Sequence, residues 1–226
     1  MKLTYYGHSC FGVEVDGKHL LFDPFITPNP KASSIDVKKV PADYILISHG
    51  HFDHIADAVD IAKRTGATVI TNWEIADWLG KQGVKNLHAM NLGGGYNFPF
   101  GRVKMTAAVH SSSLPDGSYG GNPAGFLVET GEGNFYYSGD TALTRNMKLI
   151  GESASLKFAV LSIGDNFTMG PQDAARAAVF LEAHDVVGVH YDTFPAIEID
   201  HHDAIRQFTD LGVVLTLLPV GKSKEF

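Results

Sequence analysis

The amino-acid sequence predicts an α/β fold, and three observations carry that prediction. Strand-like and helix-like runs alternate along all 226 residues, in the order strands, helices, strands and helices again. Short apolar runs such as Tyr44 to Ile47 and Phe158 to Ile163 have the length and residue types of buried strands. Side chains able to bind metal stand just past the ends of several of these runs, where α/β proteins place their sites.

The first half opens with strands over Lys2 to Tyr6, Phe11 to Val15 and Leu20 to Phe22. Asp16-Gly17 tolerates the positive backbone angles of a tight hairpin between the second and third. Ile26 to Lys39 is a surface loop around Pro28-Asn29-Pro30, with no periodicity and no function beyond a wall of a site. The strand Tyr44 to Ile47 leads into His49-Gly50-His51-Phe52-Asp53-His54, and a helix then runs from Ile55 to Arg64, stopping at Gly66. Ala67 to Thr71 reads as a buried strand. Trp73 to Lys81 is a helix ending before Gly83, with Trp73, Ile75 and Trp78 expected in the core. Gly93-Gly94-Gly95 lacks the Lys-Ser/Thr of a phosphate-binding loop and reads as a turn.

The second half repeats the plan. Arg102 to Val109 is a strand delivering His110, and Ser111 to Pro123 is a long Ser/Gly/Pro-rich loop of the kind that forms lids or binding loops. Ala124 to Glu129 and Asn134 to Tyr137 form a hairpin that ends in Ser138-Gly139-Asp140-Thr141. Phe158 to Ile163 precedes Gly164-Asp165-Asn166. Pro171 to Ala183 is an amphipathic helix with proline at its favoured first position. Val186 to Val189 ends at His190, Asp203 to Leu211 is helical after an Asp200 cap, and Val213 to Leu218 closes the domain as a strand. No linker or low-complexity segment divides the chain, so residues 1–226 are read as a single domain.

A hydrophobic content of 44 % leaves ample material for a core. The formal charge of −7 argues against nonspecific nucleic-acid binding, which needs a basic face. The single Cys10 excludes an intrachain disulfide and, in its apolar context, reads as a small buried hydrophobe. Neither a secretory signal nor a run long enough to span a bilayer is present, so the expectation is a cytoplasmic protein with no membrane partner.

His49, His51, Asp53 and His54 bring four potential ligands within six residues. Two histidines two apart on extended backbone share one side, and Asp53 and His54 follow where the chain turns helical. These residues could instead cap a loop and a helix start, but crowding imidazoles in one loop brings no folding benefit. His110, Asp140 and His190 share the placement at strand ends. Each alone has a bland reading, as a satisfied polar residue or a turn. Seven candidate ligands from four strand ends point to a dinuclear metal site.

His-x-His-x-Asp-His, a later His, Ser-Gly-Asp-Thr and a final His, in this order and over nearly the whole chain, resemble the metallo-β-lactamase fold superfamily. Gly7-His8-Ser9-Cys10-Phe11, Phe22-Asp23-Pro24 and the segment Gly164 to Pro171 resemble a bacterial and archaeal branch of metal-dependent hydrolases related to L-ascorbate-6-phosphate lactonases. The resemblance implies a four-layer αββα sandwich with two divalent metal ions at one edge. It implies that His49, His51 and His110 hold the first ion, that Asp53, His54 and His190 hold the second, and that Asp140 bridges them. Zinc is the first expectation, with manganese, iron or nickel compatible with the same donors. The implied reaction is attack by a metal-bound hydroxide on a carbonyl or phosphoryl centre of a lactone, ester or phosphodiester, with the ions about 3.5–4 Å apart.

Around that core, Asp53 also orients the hydroxide, and Asp23 is read either as a carboxylate fixing a ligand histidine from behind or as a turn residue before Pro24. His8 and Tyr191 are candidates for the leaving-group acid, unless Tyr191 points into the core. Asp165, Asn166 and Ser111 are candidates for substrate binding, with turn capping the alternative for the first two. The N-terminus of the Pro171 helix would favour an anionic small molecule. An RNA-processing nuclease, a redox di-iron protein and a non-catalytic metal binder are competing readings. Acidic charge weighs against the first, His51 and the lack of an appended flavin domain against the second, and the full ligand set against the third. The resemblance also allows a homo-oligomer.

Overall fold

The computed structural model describes residues 1–226 and contains two seven-stranded sheets. The first sheet comprises β1 (Lys2–Gly7), β2 (Cys10–Val15), β3 (Lys18–Phe22), β4 (Tyr44–Leu46), β5 (Thr68–Asn72) and β6 (Leu87–Met90), with the C-terminal β14 (Ser223–Glu225) beside β1. The second comprises β7 (Gly95–Phe98), β8 (Gly101–Ala107), β9 (Ala124–Thr130), β10 (Gly133–Tyr137), β11 (Leu156–Ser162), β12 (Asp185–Val189) and β13 (Val214–Thr216). Each sheet is mixed. Strands β1 to β3 and β7 to β10 form antiparallel meanders, while β3 to β6 and β10 to β13 run parallel. Parallel strands need crossovers, and the helices supply them.

Helices α1 (Phe52–Ile55), α2 (Ala58–Thr65) and α3 (Trp73–Lys81) belong to the first half, and α4 (Asn146–Ser153), α5 (Pro171–Phe180) and α6 (His201–Thr209) to the second. Three apolar clusters define the four layers. The inner one, between the sheets, gathers Phe11, Phe22, Phe126, Phe135, Tyr137 and Phe158. One outer cluster packs Ile61, Ile75 and Leu79 of the helices on Ile45 and Val69. The other packs Ala174, Ala177, Ala178 and Phe208 on Leu161 and Val186. The architecture is the αββα sandwich, with helices outside and sheets within.

Burying each inner phenylalanine contributes about 1.5–3 kcal/mol of transfer free energy. Phe11 stacks on Phe22 at 4.5 Å, and both meet Tyr137 edge-on. This aromatic floor joins the last residues of β3 and β10, directly beneath the edge where Asp23 and Asp140 emerge.

The α3 bounds are those the periodicity predicts, yet Trp73 is 67 % exposed rather than part of the core. It occupies the first helical position after the Asn72 cap, on the outward face, while Ile75 and Leu79 point in. Strands β6, β7 and β14 and helix α4 were not anticipated. All three strands are three or four residues long, all three are sheet edges, and their exposed patterns carry little alternation. Val213 to Leu218 does not close the fold, because β14 returns to pair with β1. No helix is long and apolar enough to cross a membrane.

Candidate metal centre

The candidate ligands emerge at one edge of the sandwich. His8 follows β1, the segment Ser48 to His54 follows β4, His110 follows β8, Asp140 follows β10 and His190 follows β12. Several sit on backbone that side chains seldom adopt. His8, Asp23 and His190 have φ of 55°, 40° and 57°, left-handed values that cost of order 1–3 kcal/mol each and persist where the surroundings enforce them. Gly139 turns the chain into Asp140 at φ 59°, and a Cβ there would lie 2.3 Å from the Ala124 carbonyl oxygen. Three backbone hydrogen bonds connect the neighbourhood. His190 N–H donates to the His8 carbonyl at 2.9 Å, Ala124 N–H to Ser48 at 3.0 Å, and Met169 N–H to Thr141 at 3.0 Å. The first two cross from one sheet to the other.

The donor atoms form two groups. His49, His51 and His110 make one, and His8, Asp53, His54 and His190 the other, each with its donor atoms within 4.8 Å of one another. In the first group His49 Nε2 faces His51 Nδ1 at 3.0 Å. In the second, Asp53 Oδ2 lies 3.0 Å from His8 Nε2 and 3.8 Å from both His54 Nε2 and His190 Nε2. Asp140 reaches both groups. Its Oδ2 is 2.9 Å from His190 Nε2, 3.2 Å from His54 Nε2, 3.7 Å from His110 Nε2 and 3.9 Å from His49 Nε2.

Asp23 stands fully buried behind these rings. It accepts from Ser48 N–H at 2.7 Å, Ser48 Oγ at 2.6 Å, Tyr137 hydroxyl at 2.6 Å and His54 Nδ1 at 2.8 Å. Since the Ser48 hydroxyl donates to Asp23, it accepts from His49 Nδ1 at 2.9 Å. These bonds place protons on Nδ1 of His49 and His54 and turn both Nε2 atoms toward the cluster. Ser162 Oγ donates to the Gly139 carbonyl at 2.8 Å and lies 3.2 Å from Asp140 Oδ1, packing against the turn that presents that carboxylate. Ser48, Tyr137 and Ser162 escaped the sequence reading, because a serine beside a ligand and a tyrosine ending a strand carry no spacing signal.

The electrostatics follow from burial and crowding. Burial pushes the His49, His51 and His110 imidazoles below their ordinary value, so they are neutral donors. Burial, aided by His190, pushes His8 down to about 4 against the pull of Asp53. Burial would raise the Asp140 carboxyl, but His190 and His54 outweigh it and hold it well below the usual range. At His54 burial opposes charge, yet Asp140, Asp53 and Asp23 together raise its value. Three carboxylates thus draw positive charge to one point.

Of the remaining candidates, Ser111 Oγ lies 3.3 Å from His51 Nε2, at the exposed rim. Its loop is pinned rather than free: Gly50 N–H donates to Ser112 Oγ, Asn72 Nδ2 to the Gly120 carbonyl, and Trp78 Nε1 to Asp116. Tyr191 requires a correction. Val187 and Val189 face the inner core, so strict alternation would carry Tyr191 inward too, but the left-handed turn at His190 breaks it. The Tyr191 ring is buried in the outer core and meets His201 edge-on at 5.5 Å. His8 is corrected as a leaving-group acid, for its side chain is fully buried and both ring nitrogens are engaged, with Thr193 and with Asp53.

Asp165 and Asn166 are also separated from the ligands. Both adopt left-handed φ in an exposed turn whose Phe167 and Thr168 amides bond the Asp165 carbonyl. The Asp165 side chain lines a cavity of about 400 Å³ with Asp173, Glu198, Asp200 and Asp203, which no candidate ligand borders. The α5 N-terminus opens on that acidic cavity, so the expectation that it recruits an anion does not hold.

The donor set suits a divalent metal. His54 Nε2 is buried without a hydrogen-bond partner and aims into the cluster, and His49 Nε2 and His51 Nδ1 converge. Imidazole and carboxylate without thiolate match zinc, manganese, iron or nickel. Comparison with known proteins agrees. The family model of the β-lactamase superfamily domain matches residues 18–191. The chain is 54 % identical over 223 residues to a UPF0173 metal-dependent hydrolase of Methylacidiphilum infernorum, covering 99 % of each, and 50 % identical over 225 residues to one of Flavobacterium johnsoniae, covering 100 % of each. Among solved structures it resembles Igni18, a metallo hydrolase from the archaeon Ignicoccus hospitalis, with a TM-score of 0.89 at 35 % identity over 100 % of this chain and 98 % of that one. An isothiocyanate hydrolase from Delia radicum gut bacteria shares the fold, with a TM-score of 0.82 at 19 % identity over 100 % and 99 %.

Proposed function

Since the chain belongs to the β-lactamase superfamily and is a metal-dependent hydrolase, we propose that it cleaves a lactone, ester or phosphodiester of a small molecule with two divalent ions at the open edge of its sheets. The observation that carries this reading is the position of Asp140 Oδ2, within 3.9 Å of a nitrogen from each of the two donor groups. His49, His51 and His110 would hold one ion, Asp53, His54 and His190 the other, and Asp140 both. When bound, such a pair supplies Lewis acidity and lowers the pKa of a coordinated water from about 15.7 to near 7.

The chain's own residues do the rest. Asp53 is the one carboxylate of the site with appreciable side-chain exposure, 28 % against 2 % for Asp140 and 0 % for Asp23. It would orient the attacking water. Asp23 keeps His54 in one tautomer, Ser48 does the same for His49, and Ser162 secures the Gly139 turn that presents Asp140. Substrate approaches over His51, His110 and Ser111, the exposed side of the centre. The formal charge of −7 favours a small molecule over an RNA polyanion.

The test is a screen of the metal-loaded protein against lactones, esters and phosphodiesters, with His110→Ala as control. Hydrolysis of one class, lowered at least a hundredfold in the variant, is expected. Activity unchanged in His110→Ala would sink the assigned site.

A further inference from the structure

The structure assigns His8 a role beyond the seven ligands named above: we propose that its Nε2 is a direct metal ligand, completing the buried half of the centre. The inference rests on the dinuclear reading and deepens it.

One hydroxyl stands behind the His8 ring. Thr193 Oγ1 donates to the Tyr191 carbonyl at 3.3 Å, and a hydroxyl has a single proton to give. With its proton there, it accepts from His8 Nδ1, 2.9 Å away, and this tautomer, with the His8 proton on Nδ1, is the one a metal at Nε2 selects. This is the wiring of His49 behind Ser48 and His54 behind Asp23: a proton given to a group at the back, a lone pair turned forward. The His8 lone pair faces Asp53 Oδ2 at 3.0 Å. Two acceptors pointing at each other repel unless a cation lies between them.

The distances suit a shared ion. Donors about 2.0–2.1 Å from one metal lie about 2.9–3.4 Å apart for angles between those of an octahedron and a tetrahedron. The pairs His8–Asp53 at 3.0 Å, His190–Asp140 at 2.9 Å and His54–Asp140 at 3.2 Å fall in that range. Asp53 Oδ2 also stands 3.8 Å from both His54 Nε2 and His190 Nε2. The backbone serves the same end. His8 is left-handed at φ 55°, and its carbonyl is clamped by the Tyr5 hydroxyl at 3.0 Å and by His190 N–H at 2.9 Å. That clamp carries a residue of the first strand to the ligand of the twelfth.

With His8, Asp53, His54, His190 and Asp140, the buried ion would have five protein donors, while the other would have His49, His51, His110 and Asp140. The position for water and substrate then falls to the second of these ions, on the exposed side.

The experiment loads wild-type protein, labelled with nitrogen-15 in its histidines, with cadmium-113. One-bond cadmium–nitrogen coupling is expected at His8 Nε2 as well as at His54 and His190. Coupling at those two without His8 overturns the inference and leaves the dinuclear reading intact. Fewer than two cadmium ions per chain overturns that reading itself. As a second arm, His8→Ala and Thr193→Val are titrated with cobalt against a chelator. Loss of an outer partner weakens a site about 10–100-fold. Weakening of one cobalt site by more than a hundredfold in His8→Ala, with its absorption bands altered and a smaller loss in Thr193→Val, supports direct ligation. Unaltered bands in a folded His8→Ala refute it.

Discussion

The two halves of the centre use the same residue types and differ in where they sit. His8 and His54 have no exposed side-chain surface and His190 has 3 %, whereas His110 has 14 % and His51 lies at the rim beside the exposed Ser111. The buried half is backed by Thr193 and Asp23 and crosses between sheets. The open half rests on one loop and a pinned strand end. The contrast separates two tasks: a low-dielectric pocket of imidazoles and carboxylates retains a cation, and the partly exposed His51 and His110, beside the buried His49, leave room for exchange and substrate.

That contrast can be broken or sharpened by substitution. Asp140 faces both halves, so Asp140→Ala should have the largest effect, loss of both ions and a fall in kcat/KM of about a thousandfold or more. Mass spectrometry of the desalted protein showing two retained ions would contradict it. Next, His190→Ala removes a buried partner and leaves Asp140 less compensated. A cost of about 3 kcal/mol corresponds to a Tm lower by about 6–12 °C, whereas His51→Ala, at the rim, should cost under about 1 kcal/mol. Equal shifts in the two melting curves would abolish the distinction. Tyr137→Phe deletes one of the four donors to Asp23 without touching a ligand. About tenfold weaker metal retention in a chelator competition is expected, with the buried half affected first. The smallest effects belong to Tyr191→Phe and Asp165→Asn, which should leave kcat/KM within about twofold. A tenfold loss in either would return it to the site.

Much of this was legible in the chain. The alternation of strands and helices, the ligand-type residues at strand ends and the bounds of α3 follow from periodicity, which survives because packing selects for it. The convergence of His49, His51, His110 and Asp140 was readable through residue type and placement. What stayed hidden has a common physical cause. Tyr191 lies in the outer core because the left-handed residue His190 breaks the alternation of β12, and no side chain announces its own φ. His8 was taken for a pocket-lining acid because its burial depends on Phe25, Phe194 and His190, which reach it from distant parts of the chain. The edge strands β6, β7 and β14 were missed because short exposed strands have no buried face to write into the sequence.

The backbone bonds between sheets, His190 to His8 and Ala124 to Ser48, have a mechanical meaning. Each stitch adjoins a candidate ligand, and the Tyr137–Asp23 bond adds a third between the ends of β10 and β3. The sandwich is sewn by buried bonds at this rim, whereas the opposite rim is joined by the contacts of Met1 and Asp16 with Glu132 and of Lys224 with Asp185. Opening it from the metal rim would tear buried backbone, side-chain and ligand bonds together, whereas at the opposite rim the polar contacts to Glu132 and Asp185 are partly exposed and individually weak. Thermal opening should therefore start far from the centre and reach it last, which makes the metal edge the hinge of the unfolding molecule.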